Sequence, residues 1–301
     1  MLIIQAGKYG RLGNRLILSA HLLAFAREYG YYFIDFGFDE YSDFFSSSNN
    51  RPILSWPKFP IDVPFANTIR TNSFKLSRHI TVGGRAQKIF GAFNWFEQIY
   101  LDSLMDEVSL DLEENQELVE RLTNSKFIVC DGWWIRSNNL VKKHSKFLID
   151  FFQPVTAIQM RAKRRVEQLR DRVDYLIGVH VRREDYRDVA PHLVFDDQHW
   201  REILKHLKRL FYPQKIHFIV CSNEALEWDN IEGISYTFAK ESAVIDMHIL
   251  ALCDYIIGPP STFSEWAAFI GGAKLGVLRS KNIEFDIGKF SFVDFPIGTR
   301  I

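Results

Sequence analysis

The sequence predicts an α/β protein of two domains. Three observations carry that expectation. The chain has 301 residues, long for one core and comfortable for two of about 150 each. Apolar strand-like runs alternate with helix-length amphipathic segments. Several of those runs end in turns rich in Gly or Ser/Thr.

Taken in order, residues 2–6 read as a strand and 7–14 as a Gly-rich turn. A helix over 14–29 is apolar around most of its circumference, through Leu16, Ile17, Leu18, Leu22, Leu23 and Phe25, so burial on several sides is expected. Gly30 ends it and a strand follows over 31–36. Residues 50–65 hold four of the ten prolines and read as loop. A helix over 111–122 is expected, with Asp111 as N-cap and Glu114 three residues on. Residues 126–134 read as a buried strand.

Beyond a basic helix near 156–171 the pattern becomes regular. Strands at 175–182, 216–221, 234–238, 254–258 and 275–279 interleave with helices at 196–211, 242–252 and 262–271. Trp200, Leu204, Leu207 and Phe211 mark one helix face, behind a cap at Asp196 or Asp197. Runs such as Leu176-Ile177-Gly178-Val179 and Phe218-Ile219-Val220-Cys221 are apolar at every position, as in a parallel sheet covered on both faces. This half reads as a doubly wound nucleotide-binding domain. Two domains, 1–155 and 156–301, are therefore expected.

The 37 basic and 37 acidic side chains divide as 17 and 17 through Asp150, and 20 and 20 beyond it. Neither half has the positive excess with which a duplex binder displaces counterions, so no nucleic-acid partner is expected. No run approaches the roughly 18 apolar residues of a membrane span, and the start lacks the pattern of a secretion signal, so a cytoplasmic location is expected. Cys130, Cys221 and Cys253 are odd in number, far apart and set in apolar runs. They read as buried free thiols, without the paired spacing of a zinc site.

In open parallel sheets ligands bind beyond the carboxyl ends of strands, and three such ends carry chemistry. His180-Val181-Arg182-Arg183-Glu184-Asp185-Tyr186 sets two guanidiniums side by side, with His180 and Arg182 on one face and Arg183 on the other. They need an anion or a carboxylate to neutralise them. Ser222-Asn223-Glu224 is a polar turn suited to hydrogen-bonding a sugar or base. Gly258-Pro259-Pro260-Ser261-Thr262-Phe263-Ser264 opens a helix, whose free N–H groups and flanking hydroxyls suit phosphate.

Together these stretches resemble a family. His180–Tyr186 is similar to the His-x-Arg-Arg-x-Asp-Tyr signature of α1,2-fucosyltransferases and their α1,6- and protein-O-fucosyltransferase relatives. Gly10-Arg11-Leu12-Gly13-Asn14 resembles their Gly-x-x-Gly-Asn opening. Gly132-Trp133-Trp134-Ile135-Arg136-Ser137 resembles the Gly-Tyr-x-Gln-Ser stretch of bacterial α1,2 enzymes. Asp246 through Leu250 and Ser261 through Trp266 resemble the Asp-x-x-Leu-Met and Ser-Ser-Phe-Ser-Trp-Trp motifs. Three motifs depart: Arg15 stands for the Gln after Asn14, Ile135-Arg136 for the Gln before Ser137, and Glu265 for the first Trp.

The resemblance implies a GT-B enzyme, two Rossmann-like domains facing across a cleft, that inverts at the anomeric carbon. It implies GDP-fucose as donor, a glycan acceptor and no metal or other cofactor. Arg182 would hold the β-phosphate and His180 would meet the guanine side of the nucleotide. Arg183 and Ser222 join the donor-binding set. Asp246 would accept hydrogen bonds from guanine, and Ser261, Thr262 and Phe263 would cradle the diphosphate. Gly13 and Asn14 would face the phosphate and fucose from the first domain.

The chemistry is consistent on its own terms. Breaking a sugar–diphosphate bond leaves negative charge on the departing phosphate, and something fixed and positive must meet it. No Asp-x-Asp metal motif is present, and a guanidinium, always charged and able to bind two oxygens, can serve instead. Arg182 fits that role, with Arg183 held by Asp185 or the sheet. Asp185 is the first candidate for a base, with Glu184, Asp188, His192 and no base at all as alternatives. His21 and His248 read as structural. Two other functions stay open: the same fold with another sugar nucleotide, and a binding protein without turnover. The basic helix at 156–171 reads as a solvated face, or as a peripheral hold on anionic lipid.

Overall fold

The structure is a computed structural model that describes residues 1–93, 95–100, 110–226, 228–281, 285–296 and 298. The chain divides into two compact units, Met1–Val155 and Thr156–Ile301. None of the described helices is long and apolar enough to cross a membrane.

The first unit runs β1 (Leu2–Gln5), α1 (Leu12–Glu28), β2 (Tyr32–Asp35), β3 (Leu54–Trp56), α2 (Ala66–Thr81), α3 (Arg85–Phe90), β4 (Phe96–Tyr100), β5 (Leu110–Asp111), α4 (Gln116–Asn124), β6 (Phe127–Asp131), β7 (Ile135–Arg136), α5 (Asn138–Lys143) and α6 (Ser145–Phe151). Its main sheet has the order β3-β2-β1-β6-β4. All neighbours are parallel except β3, which lies antiparallel on the β2 edge.

α1 is buried around its circumference, His21 and Ser19 included, as its apolar sequence requires. It ends where expected. Tyr29 and Tyr31 donate their N–H groups to Phe25 and Ala26 across Gly30, whose φ of 71° lies in the left-handed region. Its start differs: the helix begins at Leu12, so Gly13 is a helical residue and not part of the turn.

Three further expectations are corrected. Residues 50–65 are not loop throughout, because Leu54–Trp56 pairs with β2 through backbone bonds that need no periodicity. Asp111 is not a helix cap. It lies in β5, and Asn115 caps α4 by accepting the Leu118 N–H at 3.0 Å. The strand expected over 126–134 ends at Asp131, and Ile135–Arg136 forms a separate two-residue strand beside β5.

The second unit runs α7 (Thr156–Arg170), β8 (Tyr175–Val181), α8 (Tyr186–Val189), α9 (Asp197–Leu210), β9 (Ile216–Ser222), β10 (Tyr236–Phe238), α10 (Ala243–Ala251), β11 (Tyr255–Gly258), α11 (Thr262–Gly271) and β12 (Lys274–Val277). Its five strands are all parallel in the order β10-β9-β8-β11-β12. Chain connections run one way from β8 and the other way from β11. The crevice between those two strands is therefore the topological switch point. α9 buries Trp200, Leu204, Leu207 and Phe211 against this sheet, with Ile203 added, and Asp196 caps it.

α10 and α11 meet closely at Gly271. A Cβ placed there would lie 1.8 Å from the Ala251 carbonyl oxygen, a backbone atom that cannot swing aside. Gly271→Ala is expected to destabilise the protein by about 2–3 kcal/mol. Urea unfolding checks this; a variant as stable as the parent would remove that packing from the fold's requirements.

Candidate active site

In the second unit, sequence-distant residues converge at the carboxyl ends of β8, β9 and β11. Arg182 follows β8 directly. Its terminal nitrogen donates to Asp185 Oδ2 at 2.7 Å, and its guanidinium lies 5.4 Å from the centre of the Tyr186 ring. Its Nε is buried and has no hydrogen-bond partner in the described structure. A buried N–H without a partner costs about 1–3 kcal/mol, so this nitrogen has a donor to offer an acceptor.

Arg183 is placed differently. Its Nε donates to the Phe195 carbonyl at 3.0 Å, and its terminal nitrogens meet Asp197 at 2.5 Å and Glu224 at 3.4 Å. Its backbone N–H donates to Asn223 Oδ1 at 3.0 Å. The guanidinium expected to touch a donor is thus engaged by its own fold. The expected pairing with Asp185 belongs to Arg182 instead, because the two arginines, just past the end of β8, turn to different partners. Asp185 is therefore seen holding Arg182.

His180 is almost fully buried. Its Nδ1 lies 2.6 Å from Ser264 Oγ and its ring 4.9 Å from that of Phe263, both in the first turn of α11. Burial, aided by the Arg182 charge, pushes its pKa down to about 3, so the imidazole is neutral at physiological pH. Gly258 permits the approach, since a Cβ there would stand 2.8 Å from the His180 carbonyl oxygen. The geometry has His180 fixing α11 against β8.

At the start of α11, Ser261 is the N-cap and its hydroxyl accepts the Phe263 N–H at 3.3 Å. Thr262 is the first helical residue. Glu265, at a departure from the motif, is buried and accepts the Gly298 N–H at 3.2 Å. Ser222 accepts the Glu224 N–H at 3.2 Å and so shapes the turn after β9.

Asp246 lies in α10, its carbonyl within 3.7 Å of Cys221 Sγ at the end of β9. Burial pushes its pKa up to about 7, with the Glu241 charge adding to this, while the Glu241 backbone N–H and Arg165 act the other way. Its Oδ1 is buried without a hydrogen-bond partner among the described residues.

In the first unit, Asn14 is the third residue of α1, and it explains Gly10. At φ 58° Gly10 occupies the left-handed region, and a Cβ on it would fall 2.2 Å from Asn14 Nδ2. A second polar group there was not apparent in the sequence. Asp131, buried at the carboxyl end of β6, accepts the Tyr9 hydroxyl at 2.5 Å and Arg78 at 2.7 Å. Lys8 meets Asp39 at 2.8 Å and Glu40 at 3.1 Å. Only its place at a strand end could have singled out Asp131.

The other departures are structural. Arg15 donates to the Gly37 carbonyl at 2.9 Å and pairs with Glu40 at 3.1 Å. Arg136 donates to the Trp133 and Ile135 carbonyls beneath the two tryptophan rings. Ser137 bonds His21 twice, through its N–H to Nδ1 at 3.0 Å and its hydroxyl to the carbonyl at 2.6 Å. The structural reading of His21 accords with this. Cys130, Cys221 and Cys253 are buried and free.

Four cations of the basic helix have acidic partners. Arg161 and Arg165 both pair with Glu241, Lys163 with Glu167, and Arg170 with Asp254.

An unsatisfied guanidinium suits an anion, and an unsatisfied carboxyl suits N–H donors. A doubly wound α/β domain with these groups is built to bind nucleotides, and comparison narrows the class to glycosyltransferases. Residues 102–286 match the model of glycosyl transferase family 11, more than half of the chain. The chain belongs to that family. Arg182, Asp246 and Thr262 lie inside the matched stretch; Asn14 lies outside it.

Solved structures share the fold. Arabidopsis thaliana FUT1, a variant in complex with GDP, aligns at 15% identity and a TM-score of 0.56 over 97% of this chain and 73% of that one. Fucosyltransferase NodZ from Bradyrhizobium aligns at 16% and 0.55 over 94% of this chain and 96% of that one. POFUT1 in complex with GDP-fucose aligns at 13% and 0.53 over 89% and 94%. No curated protein matches the chain.

Proposed function

We propose that the protein transfers L-fucose from GDP-fucose to a glycan hydroxyl, inverting the anomeric centre without a metal ion or other cofactor. The observation that carries this is the buried, partnerless Nε of Arg182. A guanidinium with one nitrogen held by Asp185 and another without a partner can take the β-phosphate as charge builds on it. The N-terminus of α11, with Ser261 and Thr262, adds N–H and hydroxyl groups toward the same anion.

Asp246 supplies the choice of base. The guanine edge presents two N–H donors side by side, whereas the corresponding edges of uracil and adenine offer a carboxylate less. The resemblance of Gly132–Ser137 to a stretch of bacterial α1,2 enzymes supports an α1,2 linkage. A GT-B arrangement, with the donor in a cleft between the units and Asn14 and Gly13 contributing from the first, belongs to the same proposal, as does a cytoplasmic location. Asp185 then acts by positioning Arg182, and Arg183 and Ser222 by shaping the loops beside it.

Calorimetric titration tests the reading. GDP is expected to bind far more tightly than UDP or ADP, and equally well in EDTA. Equal affinity for the three, or loss on chelation, would refute it. Affinity should also depend on pH with a definite sign. A carboxyl protonated below about 7 must lose its proton before it can accept from guanine, so affinity falls as pH drops. Between pH 8 and pH 6 the loss is about tenfold for this group. Asp246→Asn should flatten that component, leaving only the titration of the phosphate itself.

A further inference from the structure

The first unit carries an apolar stripe that its own core does not use. α2 turns Ala66, Arg70 and Thr81 inward. Phe65, Ile69, Leu76 and Ile80 instead stay 82%, 39%, 65% and 43% exposed. Their spacing of four, seven and four residues keeps them on one side of the helix. In the segment that follows, Ile89 on α3 is 60% exposed. Phe65, at the N-cap of α2, has φ 58°, in the left-handed region that a bulky side chain occupies only at a cost.

The charge around this stripe is one-sided. Residues 58–93 contain six basic and one acidic side chain in a chain that is neutral overall. The single acid, Asp62, is paired with Arg51. Arg70 and Arg78 are committed to Asp43 and Asp131. Lys58, Lys75, Arg85 and Lys88 are exposed. A second copy of the same face would bring like charges together, which weighs against self-association through it.

We propose that this face of the first unit docks on an anionic lipid bilayer. The stripe of α2 lies in the boundary between headgroups and acyl chains, and the exposed lysines and Arg85 sit over anionic headgroups. The hold is assigned to this segment in preference to α7, where Arg161, Arg165 and Arg170 are paired within the second unit. The inference does not depend on the identity of the donor.

Sedimentation of the full chain with vesicles tests it. The protein should partition onto phosphatidylcholine vesicles that contain phosphatidylglycerol, weakly onto phosphatidylcholine alone, and less as salt rises. Lys75→Gln with Lys88→Gln should lower the partition on the order of thirtyfold. Leu76→Ser with Ile80→Ser should lower it too, with GDP affinity and melting temperature unchanged in both variants. Equal partition onto neutral vesicles, or binding that neither double variant alters, would overturn the proposal. So would an absence of vesicle binding together with self-association that Leu76→Ser abolishes, which would assign the face to a second copy.

Discussion

Arg182→Ala is expected to abolish detectable transfer and to weaken GDP binding by one to two orders of magnitude. The residue is the one arginine of its pair with a buried, partnerless nitrogen, while Arg183 is occupied by Asp197, Glu224 and the Phe195 carbonyl. A charge-assisted contact to phosphate contributes about 1.5–3 kcal/mol in the ground state. It contributes more when charge builds on the leaving group; removing one preorganised donor of this kind costs about 10²–10³ in turnover. Arg182→Lys keeps the charge but replaces a planar fork with a single point, so it should fall between the two. Transfer assays beside GDP titration decide the matter. Near-normal turnover in a folded Arg182→Ala protein would move the stabilisation of the diphosphate elsewhere.

Asn14→Ala is expected to depress turnover more than GDP affinity. Asn14 and its neighbour Gly13 belong to the first unit, whereas the other proposed nucleotide contacts belong to the second. A residue that completes the site around the sugar should matter most once sugar and phosphate are in place. Gly10 sharpens the test. Its positive φ and its close approach to the Asn14 amide suit a turn that sets this side chain in one position. If the turn only joins β1 to α1, turnover and affinity should stay near normal or fall together with the melting temperature. Unchanged turnover in a folded variant would remove the first unit from the chemistry.

Much of this was legible in the sequence because it is local. Apolar runs buried on both faces fix the strands of the second unit, and a 3.6-residue period fixes α9 and its inward face. Gly30 fixes the end of α1 because only glycine enters the left-handed region at little cost. Family motifs then pointed to His180, Arg182, Asp246 and Thr262 without any knowledge of the fold. The elements misread were those whose stabilisation is not local. β3 is a three-residue edge strand held by pairing with β2, and Asp111 looks like a cap but takes part in a two-stranded pairing with β7.

Which partners each candidate residue keeps was decided by tertiary structure alone. Arg182 and Arg183 are adjacent and chemically identical, so sequence can place a guanidinium at the end of β8 but cannot say which one is spent. The folded chain answers that by turning one toward Asp197 and Glu224, across 14 and 41 residues of chain. Likewise Asp131 acquires Tyr9 and Arg78 only when β1, β6 and α2 come together. The sequence by itself determined the fold class, the order of elements and the residue types that the chemistry needs. Only the folded chain decided which of them keep a hydrogen-bonding group unsatisfied, because that depends on partners contributed from far along the chain.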